Sequence, residues 1–157
     1  MKIGAIADTH DNLPKIEKAV NFFNREKVGF VFHAGDFIAP FTIDKIKALS
    51  CDWAGVFGNN DGEKDGLSLK SEGRIKESPL RTELQGKSIT LVHDINTIDI
   101  QKEKADLIIS GHTHKPEIIE RSPKLIVNPG ECSGWLSDKS TVAIVNLDTL
   151  KATIIKI

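Results

Sequence analysis

The sequence predicts an α/β protein, a four-layer α/β-β/α sandwich of two mixed sheets flanked by helices. Short apolar strands alternate with helical patterns in its first third, and such alternation implies a parallel sheet with right-handed crossovers. Strand patterns then dominate, several of them antiparallel, which indicates a second sheet packed on the first. The length of 157 residues suits one domain, so we expect a single domain over 1–157.

The first part of the chain is predicted from its apolar patterns. Residues 2–7, 28–33 and 52–57 are short and apolar, as buried strands are. Between them, apolar residues at helical spacing predict helices over 13–27 and 40–49. Asn12 is a plausible cap for the first helix, and Pro14 suits its first turn.

The second part is predicted to contain mostly strands. Segments 81–84 and 88–93, joined at Gln85-Gly86, indicate a hairpin. A short helix is expected over 97–104, and the polar segment 62–79 is expected to be a loop or irregular helix near the rim of the site. Further strands are predicted over 106–110, 117–121, 124–128, 141–146 and 152–157.

Composition excludes several classes of protein. With 21 basic and 22 acidic residues the net charge is −1, so the chain lacks a broad basic field and nucleic-acid binding is not expected. Cys51 and Cys132 are too few and too far apart for a zinc cluster or a disulfide framework. Because Met1 leads straight into a strand and no apolar run is long enough for a membrane span, we expect a cytoplasmic protein without membrane contact.

Short polar blocks follow the predicted strands. Imidazole, carboxylate and amide groups are ligands for intermediate divalent metals, and the carboxyl ends of strands are where open α/β sheets bind ligands. Each block alone is weak, since an Asp-x-His is often a surface pair and a Gly-Asp is often a turn. The blocks are Asp8-Thr9-His10, Gly35-Asp36, Gly58-Asn59-Asn60-Asp61, Val92-His93 and Gly111-His112-Thr113-His114.

Together these blocks predict a two-metal site. Two ions about 3.5–4 Å apart can hold the attacking and leaving oxygens of a phosphoryl displacement. His112 and His114 are separated by one residue, which places both side chains on one face of an extended backbone. His33 is expected to be a structural histidine that supports the Asp36 loop. Trp135 lies in a loop and is a candidate for exposure to a partner.

The pattern D-x-H, G-D, G-N-x-D, H, G-H-x-H over residues 8–114 resembles the calcineurin-like metallophosphoesterases. The match looks closest to their small archaeal and bacterial phosphodiesterases, and the segment Asn128-Pro129-Gly130-Glu131 continues it. The resemblance implies two divalent ions per chain (Mn, Ni, Co, Fe or Zn), attack by a hydroxide that bridges them, a phosphate-ester substrate and a homodimer. It implies that the first ion is bound by Asp8, His10 and His114, the second by Asn59, His93 and His112, and that Asp36 bridges both.

The candidate catalytic residues are Asp36, Asn59 and Asp61. Many relatives carry His or Cys where this chain has Asn60, which cannot supply a proton at neutral pH. Turnover would then depend on a good leaving group, on metal-bound water or on Asp61. Glu131 stands where Ser is common, and two roles are open for it: orienting a ligating histidine or lying on the rim.

Two other functions remain as alternatives. One is a catalytically weak or inactive interaction scaffold of the same fold, as in a eukaryotic retromer subunit. The intact ligand set argues against it. The other is a DNA nuclease, for which 157 nearly neutral residues leave little room.

Overall fold

The computed structural model describes all 157 residues and consists of two sheets packed face to face. Three α-helices occur, at Leu13–Glu26 (α1), Ile43–Ile46 (α2) and Lys64–Lys70 (α3). The strands are Lys2–Ile6 (β1), Phe30–His33 (β2), Asp52–Val56 (β3), Ile75–Lys76 (β4), Leu80–Leu84 (β5), Lys87–Leu91 (β6), Leu107–Ile109 (β7), Glu117–Arg121 (β8), Lys124–Asn128 (β9), Thr141–Asn146 (β10) and Lys151–Lys156 (β11).

Both sheets are mixed, as predicted. The first has the order β11-β10-β1-β2-β3-β4, with β1 to β4 parallel and β10 antiparallel to both neighbours. The second has the order β5-β6-β7-β9-β8, and its central pairs β6-β7 and β7-β9 are parallel. The carboxyl ends of β1, β2 and β3 therefore lie side by side at one edge, which is where the site is built.

Three apolar layers form the core, one between the sheets and one on the outer face of each sheet. The largest lies between the sheets, where Ile3 and Phe32 of the first meet Leu107 and Val127 of the second. A second layer joins the outer face of the first sheet to the helices, and it buries Ile16 and Phe23 of α1. Asn12 accepts a hydrogen bond from the Lys15 amide at the start of that helix. The third and smallest layer covers the outer face of the second sheet.

The predicted helix over 97–104 is wrong. Only a 3₁₀ turn at Ile95–Thr97 forms there, and the chain then runs without regular structure to β7. The carboxylates of Asp94 and Asp99 accept hydrogen bonds from backbone amides two residues further on. Such local bonds compete with a helix for the same N–H groups. The outer layer over the second sheet is therefore irregular rather than helical.

Two other segments differ from the prediction in extent. The helix predicted over 40–49 is a 3₁₀ turn at Pro40–Thr42 followed by the single turn of α2. Segment 62–79 contains α3 and the two-residue strand β4, anchored by the buried Leu67 and Ile75. The hairpin β5-β6 is confirmed. No helix of the structure is long and apolar enough to cross a membrane.

Candidate metal centre

The structure brings the seven predicted ligands together at the carboxyl edges of the two sheets. Asp8, Asp36 and Asn59 follow β1, β2 and β3, while His93 follows β6 and both His112 and His114 follow β7. We call Asp8, His10 and His114 the inner half-site, and Asn59, His93 and His112 the outer half-site.

In the inner half-site, ligand atoms of Asp8, His10 and His114, together with one of Asp36, all lie within 4.8 Å of one another. The Nε2 atoms of His10 and His114 are 3.4 Å apart, and His114 Nε2 is 3.7 Å from Asp8 Oδ1. Asp8 is completely buried, whereas the two imidazoles are partly buried. Two carboxylates and two imidazoles facing one point suit a divalent transition metal.

In the outer half-site, the side-chain oxygen of Asn59 lies 2.8 Å from His93 Nε2 and 2.9 Å from His112 Nδ1. His93 is buried, but Asn59 and His112 are exposed. This set contains no carboxylate of its own. Its charge comes from Asp36, whose Oδ2 is 3.6 Å from both His10 Nε2 and His93 Nε2. Asp36 therefore lies between the half-sites.

The hydrogen bonds of His93 test whether a cation fits the outer half-site. Its Nδ1 is 2.7 Å from the Ala34 carbonyl oxygen, which can only accept, so Nδ1 carries the proton. In the neutral ring Nε2 is then an acceptor, and it faces the acceptor oxygen of Asn59. Two lone pairs that converge in this way are the arrangement that a metal ion satisfies. The residues present fit the metal that their chemistry implies.

The pKa of Asp8 also indicates that the inner half-site binds a cation. Burial, followed by repulsion from the Asp36 carboxylate, raises the pKa of Asp8 to about 8. Without a positive charge nearby, Asp8 would carry a proton at neutral pH. A bound divalent ion would offset both the lost hydration and the repulsion, and so keep Asp8 ionised.

The backbone at the site is strained. Asp8, His10, Asp36, His112 and His114 all have positive φ, between 39° and 69°. For residues other than glycine this conformation costs about 1–3 kcal/mol each and persists only where the surrounding structure enforces it. Gly58 allows the close approach of two loops, because a Cβ there would collide with the Asp36 carboxylate. The fold thus holds the ligands in place before any ion binds.

Two buried polar residues hold the strained loops, and neither is a ligand. His33 accepts from the Gly35 amide at Nδ1, and its Nε2 lies 3.1 Å from the Thr9 hydroxyl, which donates to the Asp36 carbonyl. Burial lowers the pKa of His33 well below its usual value, so the ring is neutral. The contribution of Thr9 had no signal in the sequence beyond its place between Asp8 and His10.

Asp61 braces the other side of the Asp36 loop. Its carboxylate accepts hydrogen bonds from the backbone amides of Asp36 (3.0 Å), Ile38 (2.8 Å) and Gly58 (2.7 Å). It is buried, and the burial raises its pKa. These contacts support a positioning role for Asp61, and its possible part as a proton donor stays a prediction.

Asn60 contacts Asp36 directly. Its backbone amide donates to Asp36 Oδ1 (2.9 Å) and its side-chain amide donates to Oδ2 (2.8 Å). Asn60 therefore helps to orient the carboxylate between the half-sites, and it brings no acidic proton there.

Glu131 lies behind the inner half-site rather than on the rim. It is fully buried, and its Oε1 is 3.6 Å from His114 Nδ1. Burial alone would raise its pKa. Hydrogen bonds from Ser137, Leu136 and Ser133 outweigh that effect and lower the pKa to about 2. A fixed negative charge thus faces the distal nitrogen of a candidate ligand.

Comparison with known proteins identifies the family. A model of the calcineurin-like phosphoesterase superfamily domain matches residues 1–150. The chain belongs to the calcineurin-like phosphoesterase superfamily. The resemblance seen in its motifs, and the prediction of a phosphoesterase, are thereby confirmed.

The matches to relatives in this superfamily extend over nearly the whole chain. A phosphodiesterase of Methanocaldococcus jannaschii is 37% identical over 159 residues, covering 96% of this chain and 95% of the relative. A solved structure described as a novel archaeal phosphodiesterase has a TM-score of 0.92 at 33% identity, with all of both chains covered. Vps29 of Entamoeba histolytica in complex with zinc has a TM-score of 0.71 at 20% identity, covering 99% of this chain and 91% of Vps29, and shares the fold alone.

Proposed function

We propose that this protein is a two-metal phosphodiesterase, in which the inner and outer half-sites each bind one divalent ion. The observation that supports this most directly is the position of Asp36, equidistant from His10 and His93. One carboxylate between the two sets of ligands could contribute an oxygen to each ion. The relatives named as phosphodiesterases support the same assignment.

When bound, two divalent ions supply positive charge for the phosphate and lower the pKa of the attacking water. The residues of the chain contribute by holding the ions in position. Asp8, His10 and His114 would hold the inner ion, and Asn59, His93 and His112 the outer one, with Asp36 shared between them. His93 keeps the correct tautomer through its bond to the Ala34 carbonyl. Because both carboxylates are braced by the backbone, little reorganisation is needed during the reaction.

Charge favours a diester over a monoester. With two divalent ions bound, the carboxylates of Asp8 and Asp36 would leave a net charge of about +2, and a hydroxide would reduce it to about +1. A diester carries a single negative charge, whereas a monoester near neutral pH carries close to two. A cavity of about 360 Å³ adjoins the outer half-site, and no lysine or arginine lines it to neutralise the second charge. Its lining is Phe57, Asn59, Ser78, Pro79, His93, Asp94, Thr97 and His112.

The leaving group receives no help from a protein acid at position 60. Asn60 is neutral, and the oxygens of Asp61 are bonded to backbone amides. We therefore expect fast turnover of esters with acidic leaving groups and slow turnover of alkyl esters. The identity of the ion among Mn, Ni, Co, Fe and Zn, the cytoplasmic location and the homodimer stay predictions.

The second candidate is a catalytically weak or inactive interaction scaffold of the same fold, which the sequence left as an alternative. The strained and buried ligand cluster of this chain argues against a purely structural role. A scaffold has no need to bury two carboxyl groups, those of Asp8 and Asp36, beside each other.

The decisive experiment compares hydrolysis of bis-p-nitrophenyl phosphate and p-nitrophenyl phosphate by metal-stripped protein after Mn, Ni, Co, Zn or Mg is added back. We expect metal-dependent hydrolysis that is faster for the diester. Asp36→Ala should abolish it, whereas Asp65→Ala, at an exposed carboxylate in the first turn of α3, should not change it. If neither ester is hydrolysed with any metal, the phosphodiesterase assignment fails and the scaffold takes its place.

A further inference from the structure

Trp135 is exposed beside the inner half-site. Its side chain is 63% exposed although aromatic rings gain about 1.5–3 kcal/mol from burial. The indole Nε1–H donates to the carbonyl oxygen of His10 at 3.1 Å. This hydrogen bond holds the indole next to the backbone of His10, whose imidazole faces the candidate metal centre.

The loop that carries Trp135 is built onto the site. The amides of Cys132 and Ser133 donate to the carbonyls of Ala7 and Asp8, and the Asn12 side chain donates to the Ser133 carbonyl. These bonds join residues far apart in the sequence. The loop therefore moves with the strand end that carries Asp8.

The course of this loop depends on two further features. The buried Glu131 carboxylate accepts from the amides of Leu136 and Ser137, on the far side of Trp135. Gly134 has a φ of 68°, and a Cβ there would lie 2.6 Å from the Ser140 hydroxyl. A left-handed glycine before the tryptophan and a buried anchor after it fix the backbone at Trp135, and the hydrogen bond to the His10 carbonyl holds the indole.

We infer that Trp135 is a stacking platform for a planar ring in the substrate, so that the preferred diesters carry a nucleobase or another aromatic group. This inference rests on the proposed function and names the substrate class of the same site. A phosphate shared between the half-sites has the Phe57 cavity on the outer side and the Trp135 ring on the inner side. An ester substituent directed toward His10 meets an exposed aromatic face, and base–aromatic stacking strengthens binding by about 5- to 150-fold.

The test measures binding of two product-like ligands to the manganese-loaded protein by calorimetry. Thymidine 5′-monophosphate has a base, and 2-deoxyribose 5-phosphate has the same sugar phosphate without one. We expect the nucleotide to bind at least about tenfold more tightly. It should also quench part of the tryptophan emission, and this contact quenching reports on Trp135 because Trp53 is only 5% exposed.

Three variants separate stacking from support of the backbone. Trp135→Leu should bring the ratio of the two affinities close to one and leave the sugar phosphate affinity within about twofold. Trp135→Phe, which keeps a ring but loses the N–H, should keep most of the ratio. Leu136→Ala, at the neighbouring residue that is 79% exposed, should keep all of it.

Other outcomes overturn the inference. A wild-type ratio near one, or a ratio that survives in Trp135→Leu, excludes stacking. An equal loss of both ligands in Trp135→Leu means that the indole only supports the His10 backbone. Failure of the proposed function is recognised separately, because it removes metal-dependent hydrolysis of bis-p-nitrophenyl phosphate whatever the binding ratio is.

Discussion

The two half-sites differ in the charge and burial of their ligands. The inner one contains the buried carboxylate of Asp8, and all three of its residues have positive φ. The outer one contains no carboxylate of its own, and both Asn59 and His112 are exposed. The inner half-site is thus charged, enclosed and strained, whereas the outer is neutral and open.

This difference predicts different tasks for the two proposed ions. Because charge and enclosure both strengthen metal binding, the inner ion should bind tightly and stay. The outer ion would be held by an amide, two imidazoles and the shared Asp36 carboxylate. It should exchange with ions in solution. The outer half-site also borders the cavity that contains Phe57, where a substrate can enter.

The largest expected effect comes from removing the inner carboxylate. Asp8→Asn should lower kcat/KM by about 10²- to 10³-fold and should not be rescued by added metal, since a buried charge is lost. Asn59→Ala should also lose activity, but millimolar metal should restore part of it because the outer set is open. Metal content by mass spectrometry and hydrolysis of bis-p-nitrophenyl phosphate measure both effects.

Exposed residues provide the matched control for these variants. Asp65→Asn, on α3, should retain two ions and full activity. If Asn59→Ala lost both ions while Asp8→Asn kept one, the proposed order of affinity would be reversed.

A smaller effect is expected at the edge of the outer half-site. Asn60→His would place a titratable imidazole beside Asp36, and general acid catalysis contributes about 10²- to 10⁴-fold where a leaving group needs a proton. We expect a gain of about tenfold or more on alkyl esters and little change on p-nitrophenyl esters. The measurement is the dependence of kcat/KM on the pKa of the leaving group, whose slope should flatten.

Asp61→Asn is the control for that experiment. As a positioning change it should lower the rates on good and poor leaving groups by the same factor. A selective loss on poor leaving groups would show that Asp61 donates a proton after all.

The same contrast explains what the sequence could predict. All seven candidate ligands follow apolar strands, so their convergence on one edge followed from strand order alone. The family motif then separated them into two sets. What no pattern predicted is how the ligands are held: the path from His33 through Thr9 to the Asp36 carbonyl depends on side-chain contacts between separate loops.

The errors in the fold have local causes. The helix expected over 97–104 failed because the Asp94 and Asp99 carboxylates capture nearby amides. Strand β4 was missed because two residues carry no period. Glu131 was left with two roles because its distance from His114 depends on the packing of a loop against the β1 end, and the structure decides for the buried position.

Glu131 supports the inner half-site from behind, 3.6 Å from His114 Nδ1. Glu131→Gln should destabilise the protein by about 1–3 kcal/mol, since a buried acceptor loses charge-assisted hydrogen bonds. The pKa of Glu131 is lowered, so its stabilising effect is present above about pH 4.5 and is lost as the pH falls toward 2. Urea denaturation at pH 7 and pH 3 should therefore show a larger difference from wild type at pH 7.

In Glu131→Gln, metal binding at the inner half-site should weaken more than metal binding at the outer half-site. Affinity for the more tightly bound ion should decrease by about 10- to 100-fold, while the weaker ion is little affected. Equal weakening of both ions would show that Glu131 acts through general stability and does not orient His114.

A further expected effect is a pH dependence of the metal-free protein. The pKa of Asp8 is raised to about 8, above its value of 3.8 in an unfolded chain. Between these values the folded state binds the extra proton, so stability decreases as the pH rises, by up to about 1.4 kcal/mol per unit. Thermal melts of the metal-free protein from pH 5 to pH 8 should show this slope, and Asp8→Asn should flatten it, because an amide resembles the protonated acid. Manganese should reverse the slope in the wild type, since an ion that replaces the proton binds more strongly as the pH rises. A metal-free protein whose melting temperature is constant over that range would mean that Asp8 is ionised without a cation, and the inner half-site would then have no greater need of an ion than the outer one.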